Sequence, residues 1–438
     1  MEILMNIRKS RWIYLAVFCI VNLFAGSLYA WSVFSGPLAA RLSSVTGTTV
    51  TAADLGMIFS IATAVNPFAM VAGGWVNDRF GPRAVITVGG LMIGSGLVLA
   101  SMAQSILILT IVYGVVFGLG VGLTYTSTIG SSIKFFPDRR GLAGGIASMC
   151  YGMGSIILPP VASAFIIAFG IEQTLLILGT VIGCVIVAGG LMSRRCPENI
   201  AGLVDEGRSE RAQLSVRAEK TGSAGRRPDM NWRKMISTSL FWCMLSFFIA
   251  GSTGAMMLIS SAASIAQQQV GMSVAESAAA VSLLAIMNAA GRLAAGFASD
   301  CFGRIPTLFC CLISAVAGLL ILIMASQGDI VLFFTGISLV ALCYGGFVGI
   351  YPGFTVDQFG ARFNSVNYGI MAAGFSAGGI LGPWILRVTM QTGGYAAAYQ
   401  SALAVCAVGF VFGFLCLRIQ TARERNRRAE LQEAVQRA

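Results

Sequence analysis

A chain of 438 residues with 56% hydrophobic and only 11% charged side chains has too little polar surface to cover a water-soluble core of its size. Its 29 Lys and Arg outnumber its 18 Asp and Glu, a formal charge of +11, which fits either a nucleic-acid binder or a membrane protein with basic loops. Histidine is absent, which excludes His-based acid–base catalysis, imidazole metal ligation and a His-containing hydrolytic triad.

Taken in order, the chain begins with Met1 to Ser10, where Arg8 and Lys9 precede a long apolar run without a small-residue cleavage site. This pattern predicts a retained first span rather than a removed signal peptide. Apolar stretches of about 20 residues, the length that crosses a hydrocarbon core, fall near 12–36, 51–76, 84–103, 107–133, 141–169 and 173–193. After a polar stretch they resume near 237–264, 273–299, 305–326, 329–355, 366–388 and 394–418. No alternating polar and apolar decamers occur, so all twelve are expected to be helices and not barrel strands. The fold class expected is therefore an all-α membrane protein of twelve transmembrane helices. The polar stretch 194–236 reads as a cytoplasmic linker with little fixed structure, separating an N-terminal six-helix half, 1–193, from a C-terminal one, 237–418. Residues 419–438 form a mixed-charge cytoplasmic tail, read as a surface helix near anionic lipid. Cysteines such as Cys19, Cys184, Cys243, Cys310, Cys311 and Cys406 sit inside apolar runs without CxxC spacing and read as buried hydrophobes.

With the N-terminus inside, 26 of the 29 basic residues fall in cytoplasmic segments; Arg41 and Arg387 fall outside, and Arg292 falls within a span. The positive-inside rule then predicts both termini in the cytoplasm and leaves no need for a nucleic-acid partner. An internal repeat accompanies this layout. Asn77-Asp78-Arg79-Phe80-Gly81-Pro82-Arg83 after span two is matched by Ser299-Asp300-Cys301-Phe302-Gly303-Arg304 after span eight, with Asp78 and Asp300, and Gly81 and Gly303, both 222 residues apart. The same offset relates Arg11 to Arg233 and Arg140 to Arg362. Two parallel six-helix halves with a site between them at mid-membrane are expected. In each motif the glycine suits a tight turn. Asp78, Arg79, Gly81 and Arg83, with Asp300, Gly303 and Arg304, are the expected latch at the cytoplasmic face.

Arg292 has the most physical content. It lies eight residues before Asp300, hence ~12 Å inside the helix end, where an unpaired charge is costly. No acidic residue is deep in any span; Asp54 and Glu276 sit near the outer helix ends. A lone cation of this kind suits an anionic substrate, and a guanidinium can grip both oxygens of a carboxylate. Asn288, one turn earlier on the same face, can add a hydrogen bond. The glycine runs Gly118, Gly120, Gly122 and Gly374, Gly378, Gly379 lie in apolar helices with no P-loop lysine and read as points of close helix approach.

The paired motif, the six-plus-six layout and the long central loop resemble the major facilitator superfamily of secondary transporters over essentially the whole chain. Lys134-Phe135-Phe136-Pro137-Asp138-Arg139-Arg140-Gly141-Leu142-Ala143, Tyr151-Gly152-Met153-Gly154 and Asn367-Tyr368-Gly369 look like the oxalate:formate antiporter family, with parts shared by monocarboxylate (lactate and pyruvate) transporters. The resemblance implies that Arg292, Asn288, Tyr125 and Tyr151 line the substrate site, with Tyr344 a looser candidate and Leu28, Trp31 and Phe375 a dry wall. It also marks departures. A second intramembrane cation of the oxalate exchanger aligns with Phe375, and its two substrate-facing glutamines with Leu28 and Gly56. One fixed charge suits one carboxylate with a short carbon tail.

The function expected is alternating-access transport of a small monocarboxylate such as lactate, pyruvate or formate, by anion exchange or proton symport. Neutralisation of Arg292 by substrate should let the loaded carrier reorient more easily than the empty one. Rivals are oxalate:formate antiport and a transporter-like carboxylate receptor. No enzymatic activity, cofactor, metal or nucleic-acid partner is expected. The partners are the carboxylate, a coupled proton in the symport case and the bilayer of a bacterial inner membrane, with the protein working as a monomer.

Overall fold

The computed structural model describes residues 2–47, 49–50, 55–197, 229–391 and 393–437. Eleven of its helices are long and apolar enough to cross a membrane. One of them, Arg140–Met192, has 53 residues, more than twice what a bilayer core requires. It is divided by Gly170, whose φ of 75° and ψ of 170° leave the helical region and are open to glycine alone without strain. Twelve spans result: α1 (Arg11–Val45), α2 (Gly56–Phe80), α3 (Pro82–Ser101), α4 (Ile106–Phe135), α5 (140–169) and α6 (171–192). After residues 198–228, which lie outside the described residues together with most of the expected linker, follow α7 (Ser239–Gln269), α8 (Val274–Phe302), α9 (Arg304–Met324), α10 (Ile330–Phe359), α11 (Asn364–Met390) and α12 (Gly394–Arg437).

Ten of the spans agree with the apolar stretches to within five residues, whereas α1 runs on to Val45 and α12 continues through the expected tail to Arg437; three further details differ. Residues 26–30 of α1 wind as a 3₁₀ turn, residues 110–117 of α4 as a π-helix, and α11 is broken at Ala372. The expected linker also has order at its end. Trp232–Ile236 is a short helix capped by the Asn231 side chain, and Met230 N–H donates to the Phe359 carbonyl at 2.9 Å. Of the two acids near outer helix ends, Asp54 lies outside the described residues, and Glu276 closes a capping box with Ser273 at the start of α8.

The end of the bundle that carries both chain termini, Asp78, Asp138 and Asp300 is called the basic end below. Of the glycine runs, Gly118, Gly120, Gly122, Gly374 and Gly378 are close approaches, whereas a Cβ on Gly379 would meet nothing nearer than 3.9 Å. A Cβ on Gly118 would stand 2.7 Å from the Ala62 carbonyl, and one on Gly122 2.6 Å from that of Asn66, so α4 lies directly against α2. Two seams join the six spans before residue 198 to the six after 228. Along one, α5 meets α8: a Cβ on Gly145 would stand 2.6 Å from the Arg292 carbonyl. Along the other, α2 meets α11: a Cβ on Gly74 would stand 2.6 Å from Ser365, and one on Gly369 2.9 Å from Met70. From α10, Gly345 and Gly349 press on the backbone of Asn288 and Arg292. Glycine is needed at these crossings because any side chain would drive the helices apart.

The seams are closed at the basic end and looser at the other. In α11, eight residues from Asn364 to Met371 include seven buried ones, whereas beyond Ala373 only Gly374, Gly378, Gly382 and Leu386 are buried. Replacing Gly349 by Val should lower the thermal unfolding midpoint in detergent, by an overpacking cost of about 1–3 kcal/mol. Gly254, whose Cβ would meet nothing nearer than 3.7 Å, should accept Ala without such a loss.

Candidate functional site

Arg292 projects from the middle of α8 and is 2% exposed. Its Nε donates to Asn288 Oδ1 at 3.0 Å, and its Nη1 donates to the Ser148 carbonyl of α5 at 2.8 Å. Among the described residues no hydrogen bond to Nη2 occurs and no carboxylate pairs with the guanidinium. The titratable side chains around it are neutral phenols: Tyr125 (α4), Tyr344 (α10), Tyr29 (α1) and Tyr151 (α5). The rings of Tyr29, Tyr125 and Tyr151 form one cluster, with Tyr125 and Tyr151 centroids 4.8 Å apart and Tyr29 and Tyr151 5.8 Å apart. Tyr368, on α11, is fully buried, and its hydroxyl has no hydrogen-bond partner among the described residues. Gly152 keeps α5 close: a Cβ there would lie 3.6 Å from Arg292 Cζ.

The sequence-expected residues Arg292, Asn288, Tyr125, Tyr151 and Tyr344 therefore come together. Of the expected apolar wall, Leu28 is buried in the hydrophobic core, and its neighbour Tyr29 is one of the phenols around Arg292. Phe375 is half-buried, edge-on to Phe248 of α7 at 6.3 Å. Trp31 packs on Tyr113 at 4.4 Å. Sequence reading missed Tyr29, Tyr368 and the Ser148 carbonyl. Tyr368 had a signal, since it sits in the Asn367-Tyr368-Gly369 segment. Ser148 had none, because a backbone acceptor leaves no trace in residue identity.

Chemically, a guanidinium with its Nη2 edge free, ringed by phenol groups that can donate or accept, suits a single oxyanion. Burying the cation without such a partner is expensive.

At the basic end two carboxylates bridge the seams in the same manner. Asp78 closes α2 and accepts from Ser365 N–H at 3.2 Å and Val366 N–H at 3.1 Å, the first turn of α11. Asp300 closes α8 and accepts from Gly141 N–H at 2.9 Å and Leu142 N–H at 2.8 Å, the first turn of α5. Each thus satisfies orphan N–H groups and meets the positive end of a helix dipole. The counter-charges differ. Asp78 pairs with Lys134 at 2.6 Å. Asp300 pairs with Arg304 at 2.7 Å, and Asp357 then binds both Arg304 and Arg140 at 2.8 Å, extending the network across the α5 seam. A groove of about 740 Å³ opens beside that network and contains none of the residues around Arg292. Gly81 and Gly303 have φ of 90° and 92° at the two turns, as their motif requires.

Two expected latch members stand apart from these bonds. Arg79 is exposed and lies over Trp75 and Phe80 at 5.7 and 5.5 Å; Lys134 takes the place beside Asp78. Arg83 is exposed at the start of α3. The 222-residue offset likewise fails for two outlying pairs. Arg11 bonds Asp138 at 2.8 Å while Arg233 lies over Trp232, and Arg140 bonds Asp357 while Arg362 lies over Phe363.

Membrane-length helices around a shared central polar cluster, with paired latches at one end, define a multi-pass membrane carrier. The family model of the Major Facilitator Superfamily matches residues 13–261 and 249–436, and the chain belongs to that superfamily, whose members are transporters and not enzymes. It is therefore a secondary transporter of this superfamily. It is 27% identical over 375 residues to YhjX, an uncharacterised MFS-type transporter of Escherichia coli K12, covering 86% of this chain and 87% of that one. It is 25% identical to the oxalate:formate antiporter of Oxalobacter formigenes, over 85% and 83% of the two chains. A shorter likeness, 37% over 135 residues, joins it to monocarboxylate transporter 12 of Xenopus laevis, covering 31% of this chain and 29% of that one. Among solved structures, a double-Trp variant of XylE superposes with a TM-score of 0.73 at 12% identity, over 92% and 96% of the chains. FucP in an outward conformation gives 0.65 at 16% identity, over 93% and 99%. Those two likenesses speak to the fold alone.

Val366 is buried behind the Asp78 latch. A Val366→Cys probe should react slowly with a thiol reagent applied from the basic end. Adding Asp78→Asn, which removes a charged acceptor worth about 1.5–3 kcal/mol per bond, should speed labelling by about tenfold or more.

Proposed function

We propose that the protein carries a small monocarboxylate, of the lactate, pyruvate or formate kind, by alternating access between two six-helix halves, 1–193 and 237–418. The observation that supports this most directly is the buried Arg292 guanidinium, held at Nε and Nη1 by neutral oxygens and with Nη2 unbonded. The substrate carboxylate accepts from that free edge. Hydroxyls of Tyr29, Tyr125, Tyr151 and Tyr344 donate to its second oxygen or to a substituent on the carbon tail. Asn288 keeps the fork in plane. The Asp78 and Asp300 latches hold the basic end shut while the opposite end is loose, so substrate enters from that opposite side in this state. With 26 of 29 basic residues in the segments expected to be cytoplasmic, the positive-inside rule makes the basic end the cytoplasmic one, with both termini in it.

Likeness to the oxalate:formate antiporter supports the carboxylate class. Oxalate itself fits less well. Arg292 is the one cation among the described residues of this cluster, and a second carboxylate charge in a low dielectric would be left unpaired.

Uptake of a panel of radiolabelled acids into proteoliposomes tests the reading. Lactate, pyruvate or formate should be taken up and oxalate should compete weakly. Arg292→Ala should cut uptake by roughly 100-fold, the scale of losing 2–5 kcal/mol from a buried charged contact. Arg292→Lys should recover only part of it, because an ammonium lacks the fork. Undiminished uptake by Arg292→Ala would remove the site assignment.

A further inference from the structure

Ten buried side-chain nitrogens and oxygens have no hydrogen-bond partner among the described residues, and four of them lie on the first segment of α11, Asn364–Met371. They are Asn364 Nδ2 and Oδ1, Asn367 Oδ1 and the Tyr368 hydroxyl. None of the ten lies on α5 or α8, the helices of the other seam. Asn367 keeps one bond, from Nδ2 to the Met230 carbonyl at 2.9 Å. Asn364 is 0% exposed, and its amide has no bond at either end. The next residue, Ser365, is placed in the opposite way. Its hydroxyl accepts from Asn77 Nδ2 of α2 at 2.8 Å, and Asn77 Oδ1 accepts from Ser127 Oγ of α4 at 2.9 Å. Glycine shapes the cradle: a Cβ on Gly130 of α4 would stand 2.5 Å from Ser365 Oγ, and one on Gly74 of α2 would meet the Ser365 backbone. Asn77, Ser127 and Ser365 are all buried, so this neutral bond joins the two halves beside the Asp78 latch.

Asn364 and Ser365 thus stand side by side in one turn, both buried while the basic end is shut, one bonded across the seam and one not. Asn364 shares a helical face with Tyr368, one turn further on, and Tyr368 has Tyr125 of α4 beside it. That face is turned to the opposite half, and parting α11 from α2 and α4 admits water to it. We infer that Asn364 opposes closure of the basic end: its amide is unbonded when the α2–α11 seam is shut, becomes hydrated when the seam opens, and so offsets the Asn77–Ser365 bond and the Asp78 latch. A buried polar group without a partner bears its full desolvation cost, which returning water removes. A cost present in one state and absent from the other shifts the balance between them. Asn364 therefore keeps the closed basic end from becoming a trap. The inference rests on alternating access of the two halves and is independent of Arg292 and of which anion is carried.

Amide hydrogen exchange on the full chain in detergent tests this without any substrate. The readout is the pair of N–H groups of Gly141 and Leu142, which Asp300 holds at the start of α5. They lie on the other seam, so their exchange follows opening of the whole basic end and not local fraying of α11. Asn364→Leu is close in volume and has no polar side-chain atom; it should slow their exchange by about tenfold and raise the thermal unfolding midpoint. Ser365→Ala, which leaves Asn77 Nδ2 without its partner, should speed the same exchange by about tenfold. Asn364→Val, smaller and equally apolar, should act in the direction of Asn364→Leu and serves if the leucine variant does not fold. Unchanged exchange at Gly141 and Leu142 in a folded Asn364 variant overturns the inference, and so does slowing confined to α11. Faster exchange also overturns it, since that is the result if an ordered water bonds the amide in the closed state. None of these outcomes bears on the Arg292 assignment, which the uptake panel tests separately.

Discussion

A positive charge that cannot leave the middle of a low-dielectric bundle is the constraint around which this carrier is arranged. Arg292 has neutral oxygens at two of its three nitrogens and phenols around it. A carboxylate neighbour would have neutralised it permanently and left nothing to offer a passing anion. Neutral partners keep the guanidinium soluble in the protein while leaving its charge unspent. That balance explains why the spans around it carry tyrosines and an asparagine where an ordinary buried ion pair would carry Asp or Glu.

The same constraint sets the backbone. A guanidinium reaching across a helix seam to a main-chain carbonyl requires helices closer than ordinary side chains permit, and the glycines of α5 and α10 at that level meet the requirement. At the basic end the seams are held by a different device, carboxylates received by the first turns of α5 and α11. These latches are near-symmetric in their backbone acceptance and asymmetric in their ion pairs. Asp78 has Lys134 from its own half, whereas Asp300 is joined through Arg304 and Asp357 to Arg140 across the seam. The α5 side of the basic end is thus more strongly tied than the α11 side.

Much of this was legible in residue order. Span length and number follow from the apolar runs, because a bilayer demands about 20 residues per crossing. The turn glycines and the latch aspartates were readable from a repeated motif, and Arg292 from being the lone basic residue deep in a span. Asn288 followed from helical spacing, which is reliable where the helix is regular. Tyr29 lies where the helix is not regular, in the 3₁₀ turn of residues 26–30, and helical spacing gives no signal for it there. The motif's own arginine, Arg79, was a natural partner for Asp78 by proximity in sequence. Its side chain instead lies outward over Trp75 and Phe80, and a lysine 56 residues away fills the role.

Sequence alone determined that the chain lives in lipid, how many times it crosses, which ends are basic and which cation is left over, since each depends on local composition and on the energetics of single residues in a bilayer. The tertiary structure decided which groups meet that cation and which carbonyl across the seam it holds. Contacts between helices depend on how closely their backbones approach and on the rotation of each helix about its axis. Neither quantity is written in the spacing of apolar residues, because a glycine permits a crossing without specifying the partner, and a backbone carbonyl is the same in every residue.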